Sequence, residues 1–240
     1  MKIIMRLEMD YLRSKSKEII YVHRCSALVI QDILRKKILK KYWISHPNTW
    51  LIPNSYYSSR IEYNGMYQEG LIYSGSLGMD ILGNFIEHIN DFSNIPITLS
   101  GWGRVSPKVR ENPNVKVIIH NFSQDEYTEF ISAYKAALIW YTDRHDDNVY
   151  YIGLASGKFF KHLSLGQPVI VNNVPGLAEE VKRYKLGVVI NNLSELSDAY
   201  KNICDNYEFY VRNIQEIYEK KYDYGKVSKR FFDSMIGKAE

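Results

Sequence analysis

The sequence predicts an α/β protein whose body is a doubly wound parallel sheet with helices on both faces. Two observations carry that prediction. From residue 70 onward, short β-branched runs alternate with segments of helical period, the order that lays parallel strands between crossover helices. The composition, 45% hydrophobic and 24% charged over 240 residues, is that of a chain able to bury a core. Strands are expected at 71–74, 97–100, 115–119, 137–140, 168–171 and 186–190. Helices are expected at 79–89, 124–134, 157–164, 177–183 and 196–205, and two more, 207–220 and 226–235, close the chain. Residues 101–114 read as mostly loop. Sheets of this kind bind ligands at the carboxyl ends of their strands, near the switch point between the first and fourth.

The first 65 residues read differently. A charged helix is expected at 3–17, strands at 19–22 and 27–30, and a basic helix at 31–42, with Pro53 and Asn54 ending the region. Two short strands make no stable sheet by themselves, so apolar surface is expected to lie open near Ile19 to Ile44 until a partner covers it. Charge divides along the same line. Residues 1–60 carry 12 Lys and Arg against 4 Asp and Glu, and the remainder 19 against 23.

Several classes are disfavoured. Cys25 and Cys204 form no CxxC pair and stand far apart, so no disulfide framework or cysteine zinc site is expected, and a reducing compartment is. The longest apolar run, Ala136 to Tyr141, has six residues, against the ~20 of a membrane span, so a cytoplasmic protein is expected. The histidines and the loop acids Asp143, Asp146 and Asp147 match no ligand spacing; solvated loop residues are the expectation there, with no metal. Nucleic-acid binding is disfavoured because the basic residues occupy one short segment. That segment, with Arg35, Lys36, Lys37, Lys40 and Lys41 among apolar residues, reads either as a core-packed helix with a solvated edge or as a contact to the inner face of an anionic membrane.

Three segments could carry chemistry. Gly75 and Ser76 follow the first strand and precede a helix, where a glycine lets backbone approach a ligand and free N–H groups favour an anion. Gly101 and Arg104 follow the second strand. Both loops read equally well as ordinary turns. In the third segment, Ser156 and Gly157 begin a helix that Gly166 ends before Pro168 opens a buried strand. Lys158 in its first turn adds a cation to a cap and free N–H groups, the outline of an anion site.

Taken in order, YSGSLG, ITLSGWGR, VIIHNF, SGKFFKHLSLGQPVIVNNVPGLAEEV and LGVVI resemble the C-terminal, donor-binding half of GT-B glycosyltransferases of the retaining family 4 type. The resemblance covers about 70–236 and extends back to ALVIQDILRKKIL and WLIPNSYY, which look like the end of that family's N-terminal domain and its crossing. It implies a Rossmann-like donor domain at 66–240 and a remnant of the acceptor-side domain at 1–65. It implies that Gly75 and Ser76 approach the donor phosphates, that Asn121 and Phe122 border the base, and that Ser156, Gly157 and Lys158 touch the diphosphate or sugar. The implied activity is transfer of a sugar from a nucleoside-diphosphate sugar, as substrate and with no cofactor, to a glycan or lipid-linked acceptor in bacterial surface polysaccharide synthesis.

The sequence departs from that pattern. Glutamates that in many relatives accept bonds from the ribose and face the sugar are here Lys161 and Gly153, and a lysine accepts no hydrogen bond. Lys158, Lys161 and Arg104 are the cations available to a diphosphate. Most of the acceptor half is absent, so a separate acceptor-domain chain or a second copy is the expected partner. The alternative is a non-catalytic nucleotide-sugar-binding fragment or pseudoenzyme that acts as an interaction partner.

Overall fold

The computed structural model describes residues 4–6, 22–41, 44–58, 67–78, 95–119, 121–141 and 147–237. Near the N-terminus, Ile4–Arg6 (β1), Ala27–Ile30 (β2) and Thr49–Leu51 (β3) pair in parallel in the order β1-β2-β3, with helix α1 (Ile33–Lys41) after β2. The helix expected at 3–17 is thus a strand where it is described, and the rest of that range lies outside the described residues. Ile4 stands opposite Ala27 and Arg6 opposite Val29, so a partner some twenty residues away decides its conformation, which local period does not report. Val22 lies in a helical turn rather than a strand, and β3 falls in a stretch read only as a boundary.

The main sheet has six parallel strands, β4 (Gln68–Ser76), β5 (Ile97–Trp102), β6 (Val115–Ile119), β7 (Tyr134–Ile139), β8 (Val169–Asn172) and β9 (Gly187–Ile190). Their order, β6-β5-β4-β7-β8-β9, puts the first strand of this sheet beside the fourth. This is the doubly wound arrangement expected, with its switch point between β4 and β7. The segment expected to be mostly loop holds a short helix, α2 (Pro107–Glu111), opened by a proline where the first-turn N–H has no partner to lose. Next come α3 (Gln124–Ser132), α4 (Asp147–Tyr150), a 3₁₀ turn at Gly153–Ala155 and α5 (Gly157–Ser164). Beyond β8 lie α6 (Leu177–Tyr184), α7 (Leu196–Asp205), α8 (Tyr207–Ile217), a π turn at Tyr218–Tyr222 and α9 (Tyr224–Gly237). The helix expected at 79–89 lies outside the described residues.

Alternation along β4 divides the core. Leu71 and Tyr73 pack toward α7 with Leu196 and Ile203, while Ile72 packs on the other face with Phe159 and Leu163 of α5 and Val181 of α6. The small sheet is closed differently from the expectation. Helix α9 returns to it and packs Val227, Phe231 and Met235 against Ala27, Val29 and Ile52, with the Trp50 and Phe231 rings 5.3 Å apart. Val22, Leu28, Ile30, Leu39 and Ile44 close its other side. Open apolar surface was expected between Ile19 and Ile44; among the described residues of that range, the large exposed apolar side chain is Ile33, 54% accessible.

The basic helix also needs correction. Arg35 is 1% exposed, and its Nε donates to the Tyr151 carbonyl at 3.2 Å, so it meets no membrane; Lys36, Lys37, Lys40 and Lys41 are exposed. The two sheets are tied nearby. Asp32 accepts the Leu154 N–H at 2.8 Å and Asn54 Nδ2 donates to the Ala155 carbonyl at 2.7 Å. Phe231→Ala is expected to lower stability by about 3 kcal/mol or more, measured by urea unfolding. A loss below about 1 kcal/mol would contradict the seating of α9 on the small sheet.

Candidate functional site

A cavity of about 440 Å³ opens at the carboxyl ends of β4 and β5, beside the switch point. Gly75 and Gly101 face each other there as register partners. A Cβ on Gly101 would stand 1.7 Å from the Gly75 carbonyl oxygen, so that position admits only glycine. Across the floor, the stem of Lys158 passes 3.9 Å from where a Gly75 side chain would begin.

Helix α5 supplies the charge. Ser156 caps it, its Oγ accepting the Phe159 N–H at 3.2 Å and sharing a 2.6 Å hydrogen bond with the Tyr141 hydroxyl. That cap fixes the first turn, so Lys158 projects into the sheet's end. Its Nζ donates to the Tyr73 hydroxyl at 3.1 Å and the Trp140 carbonyl at 3.0 Å, and lies 4.5 Å and 4.1 Å from the Tyr73 and Tyr141 ring centres. Burial of this ammonium pushes its pKa down to about 7. One turn on, Lys161 is 8% exposed. It donates to Thr128 Oγ1 at 2.6 Å and sits 5.5 Å from the Tyr56 ring centre. Burial lowers its pKa too, and Asp125 opposes part of that.

Of the residues singled out from sequence, Gly75, Gly101, Asn121, Phe122, Lys158 and Lys161 line this one cavity. The other four lie elsewhere around it. Ser156 is buried as the α5 cap, Gly157 abuts the Tyr56 hydroxyl, Ser76 accepts the Tyr73 hydroxyl on its carbonyl, and Arg104 is exposed. The wall also includes Tyr56, Ser74, Ser100, Trp102, Ser123, Gln124 and Tyr127, which sequence reasoning missed. One signal was available for part of it: Ser123 and Glu126 have the spacing of a capping box, and the structure forms it. That box turns the start of α3 toward the cavity. His120, His145, Asp143 and Asp146 lie outside the described residues.

Two cations with weakened proton affinity, two helix starts and exposed aromatic rings at Trp102 and Phe122 make a pocket suited to an anion attached to a flat ring. The six-stranded parallel sheet flanked by helices is the fold of the C-terminal Rossmann-like domain of GT-B glycosyltransferases. Residues 71–234 match the family model of the glucosyltransferase 3-like C-terminal domain, and the chain belongs to that family. A search of curated protein sequences gave no match. Among solved structures it resembles HepE from Anabaena in complex with UDP-glucose, with a TM-score of 0.69 and 11% identity over 98% of this chain and 72% of that one. It also resembles sucrose-phosphate synthase from Thermosynechococcus elongatus, with a TM-score of 0.66 and 14% identity over 99% of this chain and 68% of that one. WaaG, a glycosyltransferase involved in lipopolysaccharide biosynthesis, gives 0.56 and 15% over 85% of this chain and 61% of that one. The chain thus spans less than two thirds of the length of WaaG. Among the described residues no helix is long and apolar enough to cross a membrane.

The lowered pKa of Lys158 has a sign that can be measured. Between about pH 7 and the ordinary lysine range the unfolded chain holds a proton that the folded chain has released, so this group contributes stability that rises with pH. Relative to Lys158→Met, the wild type is expected to gain thermal stability from pH 7 to pH 9. Parallel pH profiles for the two proteins would contradict the burial of the ammonium.

Proposed function

We propose that the chain is the donor-binding portion of a GT-B glycosyltransferase that moves a sugar from a nucleoside-diphosphate sugar to a glycan or lipid-linked acceptor. The observation that carries this reading is Lys158, which lines the cavity from the capped start of α5 at the switch point of the sheet. A diphosphate beside it restores the charge that burial disfavours, and the rings of Phe122 and Trp102 flank the base. Lys161, in place of an acceptor, adds a second cation to the same wall. In this reading 66–240 form the donor domain and 1–65 the acceptor side and crossover. The retaining family 4 chemistry, a role in bacterial surface polysaccharide synthesis and a cytoplasmic place belong to the same proposal. So does an acceptor-side partner, either a separate chain or a second copy. The four exposed lysines of α1 suit a membrane face that holds a lipid-linked acceptor.

A specific observation favours the non-catalytic alternative. Gly153 stands where relatives resembling this chain carry the sugar-facing glutamate; a Cβ there would meet Asp32 Oδ2 at 2.3 Å. The position is closed to a carboxylate side chain as long as Asp32 holds the Leu154 N–H. The chain then binds donor without the usual group beside the sugar.

Calorimetry with UDP and GDP is expected to show binding that Lys158→Ala weakens about tenfold or more. Because the bound anion raises the Lys158 pKa, affinity is full below about pH 7 and falls as pH rises beyond it. Wild-type protein that binds neither nucleotide would contradict the reading. Sugar transfer by the isolated chain would remove the need for an acceptor-side partner, and donor binding without transfer in the presence of that partner would favour the pseudoenzyme.

A further inference from the structure

The segment that joins the two sheets runs past the cavity as a strap pinned along its length. Asn54 donates its backbone N–H to the Leu154 carbonyl at 3.0 Å and its side-chain amide to the Ala155 carbonyl at 2.7 Å. Tyr56 is held on both sides of its backbone: the Tyr218 hydroxyl accepts its N–H and donates to its carbonyl, both at 3.0 Å, and that carbonyl also accepts the Tyr224 N–H at 3.0 Å. Ser58 donates its N–H to Asp223 at 2.8 Å. Of residues 54–58, Tyr56 is the one whose side chain reaches the cavity wall. Its ring lies 5.5 Å from Lys161 Nζ, and its hydroxyl oxygen stands 3.6 Å from where a side chain on Gly157 would begin, at the first turn of α5. The hydrogen bonds of Tyr56 are all made by its backbone, and its hydroxyl has no partner among the described residues.

We propose that the Tyr56 hydroxyl donates a hydrogen bond to a phosphate oxygen of the bound nucleotide, so that the crossover itself supplies one contact of the donor site. The proposal rests on the nucleotide reading of the cavity and adds to it a residue that lies before the matched region 71–234. Position and chemistry both favour a phosphate. The hydroxyl stands at the start of α5, where the helix end and Lys158 favour negative charge. Lys161, beside the ring, is a second cation in the same wall. Phosphate oxygens only accept, and a phenol has one O–H to donate, which makes a charge-assisted bond there. Partial burial raises the pKa of Tyr56 above the ordinary tyrosine value, so that proton is in place throughout the neutral range. Tyr218, 2% exposed and outside the cavity wall, is a positioning residue: its hydroxyl sets the backbone on which Tyr56 stands.

The test is a cycle of protein and ligand changes read by calorimetry. Wild type, Tyr56→Phe, Tyr218→Phe and the double variant are titrated with uridine, UMP, UDP and UDP-glucose, weak ligands being read by displacement of UDP, with the guanosine series if GDP is the nucleotide bound. Phenylalanine at 56 keeps the ring against Lys161 and removes the O–H alone. Tyr56→Phe is expected to weaken UDP and UDP-glucose about tenfold and to leave uridine within about twofold. A loss that begins with UMP assigns the first phosphate, and one that begins with UDP assigns the second. Tyr218→Phe is expected to weaken UDP in the wild type and to add nothing in Tyr56→Phe, with melting still cooperative; an equal loss in both backgrounds would reduce Tyr218 to a structural role and overturn the positioning. A loss confined to UDP-glucose, an equal loss on uridine and UDP, or no loss on any ligand would overturn the phosphate contact while leaving nucleotide binding intact. Wild-type protein that binds neither UDP nor GDP overturns the nucleotide reading itself, and the contact with it.

Discussion

The ammonium of Lys158 sits at the carboxyl end of the sheet, among the Tyr73 and Tyr141 rings and the Trp140 carbonyl, with no carboxylate among its hydrogen-bond partners in the described residues. A half-buried cation whose partners among the described residues are neutral oxygens and ring faces is disfavoured unless a counter-charge arrives. Much of the surrounding structure serves to place it. The Ser156 cap fixes the turn that carries it, and Tyr141 holds that cap from the end of β7. Gly101 lets its strand end approach the Gly75 carbonyl, where a Cβ would stand 1.7 Å away. The cation and the cavity are thus two sides of one arrangement, which in the proposed reading receives the diphosphate of the donor.

The crossover adds a second constraint. Tyr56, from the segment joining the two sheets, stands beside Lys161, and its backbone N–H and carbonyl both bond the Tyr218 hydroxyl. The end of α8 and the turn that follows therefore steady the wall of the cavity from outside. Helix α9 then packs its apolar face on the small sheet. The crossover is thus held by the helices of the larger sheet, and in the proposed reading an approaching acceptor domain meets a surface already fixed relative to Lys158.

Local signals made part of this legible. The span of α5, from Gly157 to Ser164, is the span its serine cap and glycine stop imply, because both ends are decided by residues within it. The six strands likewise follow from the alternation of β-branched and helical runs, and the inner strands β5, β7 and β8 are mostly buried. Contacts distant in sequence were not legible. Strand β1 opens a charged stretch that reads as a helix, and only its pairing with β2 shows otherwise. Arg35 reads as part of a basic face, yet it turns inward because a carbonyl 116 residues away accepts its Nε proton. Gln167, His162 and Ser74 join the end of α5 to β4 through buried side chains, and no spacing in the chain announces it.

A crystal structure with UDP or a UDP-sugar tests the central claim most directly. The account predicts diphosphate oxygens within hydrogen-bonding distance of Lys158 Nζ, with the base against Phe122 or Trp102. A nucleotide lodged instead in the other large cleft, beside Arg183, Lys221 and Arg230, with the cavity at the ends of β4 and β5 left empty, would contradict it.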